Sequence, residues 1–252
     1  MMYDLPAYVW ALVLTTVIGI LATTSLVLYL GAIAAGLSRR TGITVAVAAY
    51  ALLGGWLVAS GLLAWAGAYV AESGRTGPWL ALGFTSFFAL VLFAARIPLL
   101  SRILAHPKTL ALLTIPHTWR IGGITFLTVM ALGHLPAVFA LPAGLGDIAI
   151  GIAAPFIARR LARGDRRGAV RFHVLGIVDL IVALTIGFLA GLGPFQPFEI
   201  TPTTEPLALL PLVLIPTVAV PLVIALHIVS LRRLRQMARF EVSQADLVRA
   251  AG

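Results

Sequence analysis

No cysteine occurs anywhere in the chain. That excludes disulfides, thiolate metal sites, iron–sulfur clusters and cysteine nucleophiles together. Charge is also scarce: 11% of the 252 residues are Asp, Glu, Lys or Arg, against about 25% in soluble domains. Lysine occurs once, at Lys108, so the positive charge is almost all arginine. The chain lacks HExxH and paired histidine boxes, and nothing in it rises to an enzyme signature.

Apolar residues fill the space. They make up 60% of the chain, and the mean hydropathy is +1.03. A spanning helix needs roughly 20 apolar residues, and seven such segments use nearly the whole length. The expected fold is therefore an all-α polytopic membrane bundle of seven transmembrane helices. The spans fall near 6–37, 43–70, 79–100, a start between 109 and 116 up to about 133, 141–158, 170–192 and 207–231. Residues 1–231 form the transmembrane domain, and 232–252 form a short basic amphipathic tail. The first span follows a start with no basic segment and is too long for a signal-peptide core. It is read as a retained helix.

The net charge is +9, and its distribution argues for lipid and against nucleic acid. Basic residues cluster in alternate loops: Arg39 and Arg40, Arg102 and Lys108, the run from Arg159 to Arg171, and the tail. The positive-inside rule then places the N-terminus outside and the C-terminus in the cytoplasm of a cytoplasmic (inner) membrane, with the basic rim on anionic lipid. Small residues in the second span (Gly54, Gly55, Ser60, Gly61) would admit a close neighbour backbone. Homo-oligomers or a larger membrane complex are therefore expected as partners besides the bilayer.

Ionisable residues inside hydrocarbon are expensive and usually face the bundle interior. Arg120 falls in the fourth span, Asp147 in the fifth and Asp179 in the sixth. Asp147 shares a helix face with Gly144 and Gly151, and Asp179 shares one with Gly176, so neighbours can pack close to either carboxylate. Two acids compete for one arginine. The acid left over must be neutralised by a proton or cation, which is the basis of a proton-coupled reading. The seventh span carries Pro206, Pro211, Pro216 and Pro221. Each interior proline removes a backbone hydrogen bond, so this helix is expected to be bent or partly unwound, a device found at transporter sites. Thr217 offers a hydroxyl there.

His117, His173 and His227 fall near the cytoplasmic ends of the fourth, sixth and seventh spans. At similar depth they are candidates for a metal or haem, although no two share a helix at three- or four-residue spacing. Seven spans with the N-terminus outside resemble a rhodopsin. The Schiff-base lysine that such a protein needs in its last helix is missing.

Three function classes follow. The first is a small-solute or proton-coupled permease using Arg120, Asp147, Asp179 and Thr217, with no cofactor predicted. The second is a non-catalytic scaffold or subunit of a membrane complex. The third is a haem- or metal-binding redox protein using the three histidines.

Overall fold

A backbone removed from water must bond to itself, and an apolar segment with few breakers does so as a helix. The computed structural model describes residues 1–70, 78–192 and 200–251. It is mainly helical, with no strand among the described residues. The helices are α1 (Ala7–Ala34), α2 (Arg39–Trp65), α3 (Pro78–Ala94), α4 (Pro98–Ala105), α5 (Pro107–Thr114), α6 (Ile124–Ala131), α7 (Ala137–Ala162), α8 (Ala169–Gly187) and α9 (Val220–Ala251). A 3-10 stretch, Ile115–Gly123, joins α5 to α6. Two π-wound turns follow, Phe188–Leu192 after α8 and Ile215–Ala219 before α9.

Among the described residues, five helices are long and apolar enough to cross a membrane: Ala7–Ala34, Arg39–Trp65, Ala137–Ala162, Ala169–Leu192 and Ile215–Phe240. A sixth arises if α3 and α4, which meet at a 77° bend, count as one span. Large apolar side chains such as Val47, Leu62, Phe93, Ile152, Phe156 and Ile181 lie exposed along these helices. Such surface is compatible with lipid and costly in water.

Prolines move several expected boundaries. The third span was expected to reach 100, but α3 stops at Ala94. Pro98 forces Ile97 out of the helical region (φ −56°, ψ 130°), because the residue before a proline clashes with its ring. His106 before Pro107 is extended for the same reason and separates α4 from α5. The fifth span begins at Ala137, not 141, and carries Pro142 inside the helix. The seventh span, expected from 207, becomes regular helix only at Val220. Before that, Pro206 lies in a short 3-10 turn and Pro216 in the π-wound turn. The expectation of a partly unwound segment is met. The helix then continues past Leu231 without a break. Arg75 and Glu199, in the links between the second and third and between the sixth and seventh expected spans, lie outside the described residues.

The packing is centred on the last helix. Of its most apolar window 67% is buried, against 17% for that of α2. So α9 forms the core and α2 lies at the periphery. Gly54, Gly55 and Gly61 of α2 face open space, with no neighbouring atom where a side chain would project. The close helix contact expected there is not made among the described residues. At one end of the bundle the N-terminal segment is pinned, with Tyr3 N–H donating to Leu210 O at 2.9 Å. Its hydroxyl lies 3.2 Å from His134 Nδ1.

Candidate functional site

Backbone angles remain right-handed helical at Thr114, Ile115, Gly123 and Ile124, so residues 107–131 form one continuous rod. Pro116 lacks the N–H that would continue the α-helical ladder, and the middle of the rod winds as 3-10 helix. At three residues per turn, residues three apart eclipse. His117, Arg120 and Gly123 therefore stack along one edge, and all three are buried.

The glycine face of α7 receives that edge. A Cβ on Gly123 would lie 2.5 Å from Asp147 Cβ and 2.7 Å from Gly144 O. A Cβ on Gly151 would lie 2.5 Å from Ile121 N. Only with glycine at these contacts can the rod and α7 close on each other, and closure brings Asp147 to Arg120. Asp147 is the eleventh residue of α7, deeper than the sequence reading placed it, because the helix starts earlier.

Arg120 bonds both acids. Its Nε donates to Asp147 Oδ1 at 2.6 Å, and its Nη2 donates to Asp179 Oδ2 on α8. Its Nη1 donates to Gly176 O at 3.2 Å and lies 3.1 Å from His227 Nε2 on α9. One guanidinium thus ties together the rod, α7, α8 and α9. Its side chain is 2% exposed, against 16% and 17% for the two aspartates. Charge-assisted bonds of this kind are about twice as strong as neutral ones. The sequence left open which acid Arg120 would choose. The fork of the guanidinium lets it take both. With both acids ionised, the three groups carry a formal charge of −1.

The three histidines, weak candidates in sequence, come together beside this node. His117, His173 and His227 are completely buried. His117 stacks on His227 with ring centroids 3.8 Å apart and an 18° tilt. His173 Nδ1 lies 2.8 Å from His227 Nδ1. Phe172 packs against all three rings at 5.0–5.9 Å. Their union follows from the 3-10 winding, which aligns His117 with Arg120, and from the i,i+3 series His173–Gly176–Asp179 on α8. A Cβ on Gly176 would lie 2.3 Å from His227 Nε2, so that glycine is what admits the His227 ring.

Thr217 stands apart from this cluster. Its hydroxyl donates to Val213 O at 2.7 Å and lies 2.7 Å from Ser60 Oγ, which reaches Tyr69 OH at 3.1 Å. Pro221 has no N–H for the carbonyl four residues earlier, which is that of Thr217. Trp56 Nε1 on α2 donates to this carbonyl at 3.1 Å. Sequence reading took Ser60 only as small-residue packing and Tyr69 only as an interface aromatic, and it did not single out Trp56.

Two small cavities border Asp147. One, of about 30 Å³, is lined by Arg120, Asp147, Thr16 and Gly122. The other, of about 40 Å³, runs between Asp147, Phe139, Gly187, Leu207 and Pro216. The first, with Arg120, Asp147 and Thr16 in its lining, has room for a water or two. Asp179 lines neither. The geometry thus sets a half-buried carboxylate beside two small cavities and next to a cluster of imidazoles.

Residues 77–235 match the family described as Domain of unknown function (DUF8737), and the chain belongs to that family. The matched range contains Arg120, Asp147, Asp179 and the three histidines. No curated protein and no solved structure matches the chain.

Proposed function

We propose that this family member is a seven-span protein of the cytoplasmic membrane and a small-solute or proton-coupled permease. In this reading α3 with α4 is the third span and the rod is the fourth. Eight α-helical, nine 3-10 and eight α-helical residues rise roughly 40 Å, more than the ~30 Å hydrocarbon core. With seven spans, the basic residues at Arg39–Arg40, Arg102–Lys108, Arg159–Arg171 and the end of α9 share one face. The positive-inside rule makes it cytoplasmic, with anionic lipid against it. Residues 232–252, which take in the basic end of α9, then serve as the cytoplasmic tail.

The observation that carries the permease reading is the three-way bond of Arg120 to Asp147 and Asp179. Two carboxylates and one guanidinium in a low-dielectric interior lack one positive charge. A proton or cation arriving at Asp147 restores neutrality. Losing it returns the pull on Arg120, which is also bonded to α8 and α9. The neighbouring π-wound turn at Ile215–Ala219, where the regular ladder is already broken, is the segment able to change packing at low cost. Its Thr217–Ser60–Tyr69 hydroxyls offer polar contacts to a passing solute.

The test is proton flux into liposomes reconstituted with the full chain and loaded with a pH-sensitive dye. Wild-type protein should carry flux, and Asp147→Asn should abolish it while the variant stays monodisperse. If Asp147→Asn and Asp179→Asn lower stability but leave flux unchanged, the node only locks helices. The permease reading then fails in favour of a structural subunit of a membrane complex.

A further inference from the structure

His117, His173 and His227 come from three different elements: the 3-10 stretch, α8 and α9. Each can offer one ring nitrogen so that all three lie within 4.8 Å of one another. Yet His117 Nδ1, His117 Nε2 and His173 Nε2 have no hydrogen-bond partner. A neutral imidazole presents one N–H and one lone pair, and a buried polar atom left unmatched is destabilising. Three unmatched nitrogens in one fully buried cluster need a partner.

The protons can be placed by elimination. Arginine only donates, so His227 Nε2 faces Arg120 Nη1 with its lone pair. The His227 proton then sits on Nδ1 and points at His173 Nδ1, 2.8 Å away. His173 must carry its own proton on Nε2, the unmatched atom. In this arrangement the N–H groups of His173 and His117 meet no acceptor among the described residues. Satisfying these donors takes a bound ligand or a buried water.

We propose that the three histidines form a binding site for one first-row transition-metal cation of the zinc or copper class. His173 Nδ1 and His227 Nδ1 already converge and supply two ligands, and His117 supplies the third. Zinc–nitrogen bonds of about 2.0–2.1 Å place tetrahedral ligand atoms roughly 3.4 Å apart. The 2.8 Å pair therefore opens slightly, and His117 leaves its stack on His227 and rotates to aim a ring nitrogen at the ion. On loading, the His227 proton moves from Nδ1 to Nε2. There it meets Arg120 Nη1 donor to donor, so Arg120 gives up that contact and keeps Gly176 O and both aspartates. A ligand set of imidazoles alone, in a chain without cysteine, selects zinc, copper, nickel or iron over magnesium and calcium. The formal −1 of the adjacent Arg120–Asp147–Asp179 group suits a cation. Imidazole packs on imidazole with Phe172 against all three rings, so one ion fits among them where a porphyrin plane does not. The site stands whether or not the chain is a permease.

The experiment uses the full chain, free of any affinity tag, in detergent micelles. It is stripped by chelator and titrated with Co²⁺ and Zn²⁺. Expected are one equivalent bound, visible d–d absorption of the Co²⁺ form and an upward shift of Tm. His117→Ala and His173→Ala should each weaken binding by roughly tenfold or more and lose the band. His106→Ala should leave both unchanged. If the histidine variants do not fold, X-ray absorption of the wild-type Co²⁺ form decides, by showing or lacking imidazole scattering. Absence of a band and of a Tm shift in the wild type overturns the proposal. So does a band that survives in both histidine variants, or a Soret band in the protein as purified.

Discussion

Gly146 on α7 faces Asp179 on α8, and replacing it with alanine puts one methyl group directly into the ionic node. The new Cβ would lie 1.7 Å from Asp179 Oδ1 and 2.6 Å from its Cγ. The obstacle is the free end of a short side chain, so the carboxylate can rotate away without moving backbone. In doing so it leaves Arg120 Nη2. A hydrogen bond to a charged group contributes about 1.5–3 kcal/mol, while alanine in place of glycine gains about 1 kcal/mol in a helix. Gly146→Ala should therefore destabilise by about 0.5–2 kcal/mol. With Asp179→Ala already in place there is no carboxylate to displace, and the same substitution should become neutral or stabilising by up to about 1 kcal/mol. Contacting residues commonly show coupling of this size. The assay is an SDS titration in mixed micelles, followed by fluorescence of the chain's five tryptophans. An equal cost of Gly146→Ala in both backgrounds would refute the assignment of Asp179 to Arg120.

Four further outcomes are expected. Arg120→Gln strands two carboxylates without a counter-charge and should lose about 3–5 kcal/mol; adding Asp147→Asn and Asp179→Asn should restore part of it in the same titration, and a neutral Arg120→Gln contradicts the node. Thr217→Val removes the hydroxyl bond to Ser60 and should cost about 1 kcal/mol, leaving Trp56 emission unchanged because the Thr217 carbonyl that Trp56 bonds remains. In the turn after α7, Asp165 accepts from Arg167 N–H and Arg160 Nε, each at 2.9 Å. The Arg167 backbone bond first, then the Arg160 bond, hold its carboxyl below the ordinary aspartate value of 3.8. This lowered group stabilises the fold above that value and loses its contribution as pH falls through the still lower folded value. Melting curves of Asp165→Asn and wild type should therefore differ slightly at neutral pH and converge in acid; a gap that widens in acid reverses the sign. Finally, a reporter fused after Gly252 should be active in the cytoplasm, and periplasmic activity would invert the topology.

Much of the site was legible before any coordinates. Arg120, Asp147 and Asp179 stand out because charge in an apolar run is costly enough to need a reason. The glycines on their helix faces correctly announced close neighbours, as Gly144, Gly151 and Gly176 now show. The four prolines correctly announced a broken last segment. Gly54, Gly55 and Gly61 meet no neighbour among the described residues, because small residues permit a contact without requiring one. It also underrated the histidines. Residues 117, 173 and 227 carry no short-range spacing signal, since each comes from a separate element.

Composition and periodicity alone determined that the chain is helical, apolar and compatible with a membrane, because backbone satisfaction without water has few solutions. They also determined which residues had to be explained. Only the tertiary structure decided who meets whom. Pro116 turns the middle of the fourth segment into 3-10 helix, which puts His117 and Arg120 on one edge. Glycines at 123, 144, 151 and 176 let the helices close until one guanidinium reaches two acids and a histidine. Those contacts join residues up to 107 positions apart, and no local rule of sequence reaches that far.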